Sequence, residues 1–319
     1  MASAPGPEST GCSTPRNVFI DAGVNWCNTL ELYRQVPEAR LHLAEPWLIF
    51  GFEASPRIAP FAEKCTRALT DGRPIPEPPI PPAGSSRDLQ KFAPMLNCSM
   101  LDLGLRQQSE HDKKIYKRQK LVPCMMAALE RPLAALMPDP SLSSNASLLH
   151  QRLALGRRQC TASNRATISH HATAGQRATA GATAVLLPAA VGKRDGSMSI
   201  NDGPEFMLTG GATRQASSKS RAERYRISQV DLSRWLLSSF TKSDFVILKM
   251  DVEGGEHRIV PKMVADGSLG LVDVWLWECH HMPRSWHSPC HKLRKRLRDY
   301  GVTTLYEDPY PWNQKGQSK

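Results

Sequence analysis

Phe245-Val-Ile-Leu-Lys-Met-Asp251 is the stretch on which the reading of the fold turns. It is a short, nearly unbroken apolar run, and Gly254-Gly255 follows soon after it. Such a run reads as a buried strand of a parallel sheet rather than as an amphipathic helix. Its last residue is an acid, and the same form recurs. Asn17-Val-Phe-Ile-Asp21, Trp47-Leu-Ile-Phe-Gly-Phe-Glu53 and Val272-Asp-Val-Trp-Leu-Trp-Glu278 are strands of the same kind. Helical segments lie between and after them. These are Thr29 to Val36, a helix opening near Ser55-Pro56, Val230 to Phe240, and His291 to Tyr300 with Leu293, Leu297 and Tyr300 on one face. Ser as N-cap and Pro in the first turn favour the second of these starts. Ala184 to Val191, Gly196 to Ile200 and Thr303 to Tyr306 supply further strands. Strands and helices in this alternation predict an α/β fold with a mostly parallel sheet.

Two ordered blocks flank an irregular middle. From Asp71 to Ser86 the chain is rich in proline (Pro74, Pro76, Pro78, Pro79, Pro81 and Pro82), which favours an extended conformation that cannot join a sheet. A basic, helical stretch from Gln107 to Leu136 follows. Arg165 to Thr183 is an Ala/Thr/Gly tract of low complexity, and Gly203 to Lys219 reads as a loop. Residues 70–182 are therefore expected to be an insertion within a single domain spanning 17–310. Residues 1–16 and 311–319 are expected to be disordered ends.

Of the 319 residues 40% are hydrophobic, enough for a substantial core. No apolar run is long enough to span a membrane. Met1 to Arg16 is polar and lacks the apolar centre of a signal peptide. The 8 cysteines include no CxxC pair, which suits a reducing compartment better than a disulfide framework. Sequons at Asn97 and Asn145 would matter only in a secreted chain. A cytoplasmic location is the expectation. The formal charge is +11, and nearly all of the excess falls between Met100 and Val230. That stretch is either an attractor for an anionic partner or a basic insertion on a near-neutral core.

Ligands of open α/β sheets bind at the carboxyl edge of the strands. Asp21, Glu53 and Asp251 all stand at that edge, the first beside a glycine turn. One acid where a strand exits to solvent says little; three on one edge point to a site.

The sequence around these acids resembles the FkbM-like methyltransferase family. Phe19-Ile-Asp21-Ala-Gly23-Val-Asn25, followed by Thr29, is similar to that family's first motif, and Phe50-Gly-Phe-Glu53-Ala-Ser-Pro56 to its second. Leu187-Pro-Ala-Ala-Val-Gly192 with Asp195-Gly196 resembles its third strand and the turn after it. Lys249-Met-Asp251-Val-Glu253-Gly254-Gly-Glu256 resembles the K-x-D-x-E-G-x-E signature, the most specific of the four. The resemblance covers most of 17–67 and 184–306 and leaves the insertion unassigned.

It implies a Rossmann-like three-layer sandwich and a methyl transfer from S-adenosylmethionine (SAM) to an oxygen of a carbohydrate or small-molecule acceptor. It also implies a cofactor site of Asp21, Gly23, Asn25, Thr29 and Glu53. Gly23 would let the backbone approach the ligand. Asn25 and Thr29 would hydrogen-bond near the amino-acid end of SAM, and the next helix N-terminus would favour its carboxylate. Glu53 would accept the ribose hydroxyls. Asp251 and Glu253 would orient the acceptor hydroxyl, with His280 as proton acceptor. Glu256 would cap or anchor the following helix. Cys27 stands where the family usually carries a glycine, and a side chain there would narrow the approach to the cofactor.

Other readings stand beside this one. Cys279, His280, His281, His287, Cys290 and His291 form a dense set of ligand types, but without the regular spacing of zinc sites, and no metal is assigned. A nicotinamide dehydrogenase would need G-x-G-x-x-G, which is missing. An RNA or protein methyltransferase would use the basic middle and Lys292 to Arg298, yet aromatic stacking motifs are missing. A degenerate SAM-fold binding module is the last alternative, motivated by Cys27.

Overall fold

Strand β1 (Asn17–Ala22) is buried at every residue, as an apolar run at the centre of a parallel sheet must be. In the computed structural model, which describes residues 14–77, 139–157, 181–201, 224–280, 290–302 and 304–307, β1 has a parallel neighbour on each side. These are β2 (Trp47–Phe52) and β7 (Phe245–Met250). With β3 (Ala182–Leu187), β8 (Val274–Trp277) and β9 (Thr304–Glu307) the sheet runs β3-β2-β1-β7-β8-β9. Every pairing in it is parallel. The order steps outward from β1 in one direction and then in the other, as in a Rossmann-like sheet.

The two-residue period of a strand divides the side chains between the faces. Val18, Ile20 and Ala22 join Phe50, Phe52, Val246, Leu248 and Met250 on one face. There they meet helices α4 (Leu232–Ser239), α5 (Glu256–Asp266) and α6 (Cys290–Tyr300). Phe19, Ile49, Ile247 and Leu276 look to the other face, where Leu30, Tyr33 and helix α1 (Ala59–Thr70) cover them. Helices on both faces of one sheet make the expected three layers.

Several boundaries differ from the sequence reading. Thr29 to Val36 is not an α-helix; turns lead into 3-10 helices at Leu32–Gln35 and Pro37–His42. Pro37 opens the second, where its missing N–H costs nothing. The helix after β2 begins at Ala59 rather than at Ser55-Pro56. Ser55 Oγ accepts from the N–H groups of Arg57 and Ile58, both at 3.2 Å, and so closes the turn before the helix. A second sheet, β4 (Ala190–Gly192), β6 (Arg224–Asp231) and β5 (Gly196–Asn201) in that order, contains a strand the sequence did not signal. In β6 only Ile227, Val230 and Asp231 are buried among Arg, Tyr, Ser and Gln, so its apolar pattern is weak. Asp231 ends it and caps α4 by accepting from Arg234 N at 3.1 Å.

The middle of the chain also needs correcting. Helices α2 (Pro140–Ser144) and α3 (Ala146–Ala154) fall within the expected insertion, yet they are built into the domain. Leu149 is buried in the core. Arg152 Nη1 donates to Glu63 Oε2 at 2.6 Å and to the Leu186 carbonyl at 2.8 Å. Trp235 Nε1 donates to the Leu153 carbonyl at 3.3 Å. The basic stretch from Gln107 to Leu136, the tract from 165 to 180 and the loop from 203 to 219 lie outside the described residues. Among the described residues no helix is long and apolar enough to cross a membrane.

Candidate functional site

The strand order reverses between β1 and β7, which is where open α/β sheets form their ligand crevice. Four acids gather at this edge. Asp21 is next to last in β1, and Glu53, Asp251 and Glu278 directly follow β2, β7 and β8.

Asp21 is fully buried, and its register partner in β7 is Lys249, itself 1% exposed. Lys249 Nζ lies 3.2 Å from Asp21 Oδ1 and 3.5 Å from Asp251 Oδ2, and it donates to the Gly23 carbonyl at 2.6 Å. Burial alone would favour the neutral amine, but the Asp21 and Asp251 carboxylates outweigh it and raise the Lys249 pKa. Thr29 Oγ1 donates to Asp21 Oδ2 at 2.6 Å, and Thr29 too is buried. Asp21 and Thr29 are thus committed to the interior and offer no surface to a ligand, unlike the expectation that they would touch the cofactor.

Gly23 has φ +104°, and any side chain there would collide with the Asp251 carbonyl oxygen. The turn after β1 is pressed against the exit of β7. Glycine is required there by the protein's own backbone, whatever ligand approaches. Asn25 (φ +51°) and Cys27 (φ +69°) continue the turn in left-handed conformations. Asn25 N donates to Glu53 Oε2 at 2.8 Å, and Ser55 N donates to Glu53 Oε1 at 2.7 Å. Glu53 therefore ties the loop after β1 to the loop after β2.

On the far side of Lys249, His280 is ringed by carboxylates. Its Nδ1 donates to Glu256 Oε1 at 3.1 Å, since a carboxylate can only accept. Its Nε2 faces Glu253 Oε2 at 3.2 Å, Asp251 Oδ1 at 3.7 Å and Glu278 Oε1 at 3.8 Å. Glu256, the first residue of α5, is fully buried and also accepts from Val252 N at 3.0 Å. Glu253 has φ +53°, a strained conformation of the kind that collects at functional sites. Burial pushes the Glu253 carboxyl up to about 8, against the pull of the His280 charge. Burial pulls His280 down, but its hydrogen bond to the Glu256 carboxylate and the charges of Glu253, Glu256 and Asp251 outweigh it and raise the imidazole to about 9. An imidazole held so keeps its proton at neutral pH, which does not suit the expected role of proton acceptor.

Asp251, Glu253 and His280 bring one ligand atom each within 4.8 Å of one another, so they could hold a divalent ion. His257, Cys279 and Cys290 do the same, but both sulfurs are already used: Cys279 and Cys290 form a disulfide between the exit of β8 and the start of α6. Cys27 and Cys65 form a second disulfide, from the loop after β1 to α1. All four cysteines among the described residues are therefore paired. This overturns the reading of scattered thiols, and the argument for a reducing compartment goes with it. Cys27 does not narrow the crevice as expected; its side chain is 3% exposed and bonded to the covering helix.

The expected site residues thus fall into two groups joined by Lys249. Gly23, Asn25 and Glu53 shape the loops at β1 and β2, and Asp251, Glu253 and His280 cluster at β7 and β8. Of the positioning parts, Lys249 and Glu278 had no role assigned from sequence, and Glu256 was given only the anchoring of the helix it opens, where it accepts from Val252 N as well as from His280. A lysine inside the apolar run 245–250 is the signal that could have found the first, because a buried ammonium needs carboxylates.

Residues 133–302, just over half of the chain, match the family model described as the methyltransferase FkbM domain. The chain belongs to the FkbM methyltransferase family. It is a methyltransferase, and an enzyme of this class takes its methyl group from a bound donor. The FkbM match holds Asp251, Glu253, Glu256 and His280. It starts after β1 and β2, which join it through their pairing with β7 and β3. No curated protein and no solved structure matches the chain.

Proposed function

We propose that this FkbM methyltransferase is SAM-dependent and methylates a hydroxyl of a carbohydrate or other small polyhydroxyl acceptor. The observation that carries the reading is the junction at the β1/β7 reversal. There the Gly23–Glu53 loops and the Asp251–Glu253–His280 cluster share one buried lysine. SAM, when bound, supplies an electrophilic methyl group on a sulfonium. The donor would lie along the loop after β1, with Glu53 toward its ribose. The loop fits a polar ligand, since Trp26 Nε1 and Asn28 Oδ1 are buried without hydrogen-bond partners among the described residues.

The acceptor would lie at the acidic cluster. Carboxylates at this density repel a phosphate backbone and favour groups that donate hydrogen bonds, as sugar hydroxyls do. Roles within the cluster follow from its electrostatics. Glu253, whose carboxyl is pushed to about 8 and so gives up its proton before His280 does, is the better matched proton acceptor once ionised. His280 as imidazolium would orient Glu253 and Asp251, and Asp251 would hold the acceptor hydroxyl. Positioning of this kind is worth about 7–11 kcal/mol in a displacement.

Calorimetry with S-adenosylhomocysteine, the demethylated product of SAM, tests the donor half. Binding is expected, and Glu53→Ala should weaken it about tenfold or more, as loss of charge-assisted hydrogen bonds does. No heat from well-folded protein would sink the proposal.

A further inference from the structure

We infer that Cys65 is a positioning residue for the methyl-donor site, acting through its disulfide to Cys27. The inference rests on the reading that the loop after β1 holds the donor. Its basis is the backbone. Cys27 has φ +69°, a left-handed conformation natural to glycine and tolerated by asparagine, but costly for cysteine. Asn25, two residues before, is also left-handed, and its N–H is fixed by Glu53. The turn closes through Cys27 N donating to the Val24 carbonyl at 3.0 Å. A turn with two such residues in three persists only when its surroundings over-determine it.

Helix α1 supplies that determination. Cys65 is fully buried, on the face that carries Ala59, Ala62 and Leu69 into the core. One helical turn earlier, Phe61 meets the ring of Trp26 edge-on with centroids 5.7 Å apart. The loop is therefore held to α1 at two successive residues, by ring packing at Trp26 and covalently at Cys27. Because α1 follows β2 and Glu53, the disulfide locks the two halves of the donor site to each other. A glycine at position 27 would adopt the same φ at no cost and would not need the bond.

That difference separates a positioning role from simple cross-linking. Peptide mapping without reductant should recover Cys27 linked to Cys65, and unlinked peptides would overturn the inference. Two double variants, Cys27→Ala/Cys65→Ala and Cys27→Gly/Cys65→Ala, lack the bond equally and differ only in their tolerance of positive φ. S-adenosylhomocysteine should bind the alanine version about tenfold or more weakly than it binds the wild type. The glycine version should recover to within about threefold of wild type. Both are first checked for cooperative thermal unfolding. If the alanine version does not fold, the glycine version is judged against wild type alone, and a folded glycine version that binds poorly overturns the inference. Equal affinity in the two variants overturns it as well. No binding by the disulfide-bonded wild type overturns the donor site and this inference together, whereas binding indifferent to position 27 overturns the inference only.

Discussion

The Lys249 ammonium donates to the carbonyl of Gly23 at 2.6 Å, joining the exit of one central strand to the turn after its neighbour. The same nitrogen compensates Asp21 and Asp251, so a single buried cation supports both halves of the candidate site. Its removal leaves Asp21 as an uncompensated charge in the core. Lys249→Met is therefore expected to cost about 3–5 kcal/mol in urea unfolding. Lys249→Met/Asp21→Asn should recover much of that loss, because no buried charge is then left alone. If the double variant is no more stable than the single one, the pair does not work as described.

Much of this was legible beforehand. The runs 17–21, 47–53, 245–251 and 272–278 became β1, β2, β7 and β8 within a residue or two at each end, because a short apolar run between turns admits few other structures. The acids at their ends do gather at one edge of the sheet, as their positions implied. Burial was not legible. Asp21 and Thr29 look like ligand residues in a motif, and only the registry of Asp21 with Lys249 reveals them as interior partners. Nor could spacing reveal that Cys27 and Cys65, 38 residues apart, would meet across a loop and a helix. His280 stood out in the sequence, but its charge depends on Glu253 and Glu256 arriving from another strand exit.

The cluster predicts the pH dependence of turnover. Glu253 must lose its proton to act, and His280 must keep its own to orient the carboxylates. The rate should climb as pH rises through about 8 and fall above about 9, with the two groups titrating as a coupled pair. Initial rates across pH 6–10 at saturating substrate check this. Glu253→Gln should lose about 10²–10⁴-fold in turnover. A flat profile would remove Glu253 and His280 from the proton path.

Stability should follow the same titrations with a definite sign. Both groups have folded-state pKa values raised above their ordinary 4.5 and 6.5. Their contribution is therefore present at low pH and lost as pH rises through about 8 for Glu253 and about 9 for His280. Urea midpoints at pH 5 and pH 9 should differ in that direction, and Glu253→Gln should narrow the difference. A midpoint that rises toward pH 9, with Glu253→Gln changing nothing, would contradict the electrostatics.

Part of the expected insertion is built into the domain, since Leu149 and Arg152 pack against the core. Replacing residues 71–183 would delete Leu149, Arg152 and the start of β3, and should leave no cooperative transition. Replacing 79–137 alone with a Gly/Ser linker should retain one. Arg152→Ala should cost about 1.5–3 kcal/mol through its lost bonds to Glu63 and the Leu186 carbonyl.

The central claim is that the chain transfers a methyl group from SAM to a hydroxyl beside Asp251. Incubation of the protein with cell extract and SAM carrying a labelled methyl group tests it most directly. The extract is then separated into carbohydrate, small-molecule, protein and RNA fractions and treated with alkali. Label should appear in the carbohydrate or small-molecule fraction and survive alkali, as a methyl ether does and a methyl ester does not. Asp251→Asn, which keeps the shape but loses the carboxylate, should reduce it by about 10²-fold or more. Label confined to RNA or protein, label released by alkali, or undiminished transfer by Asp251→Asn would contradict the account.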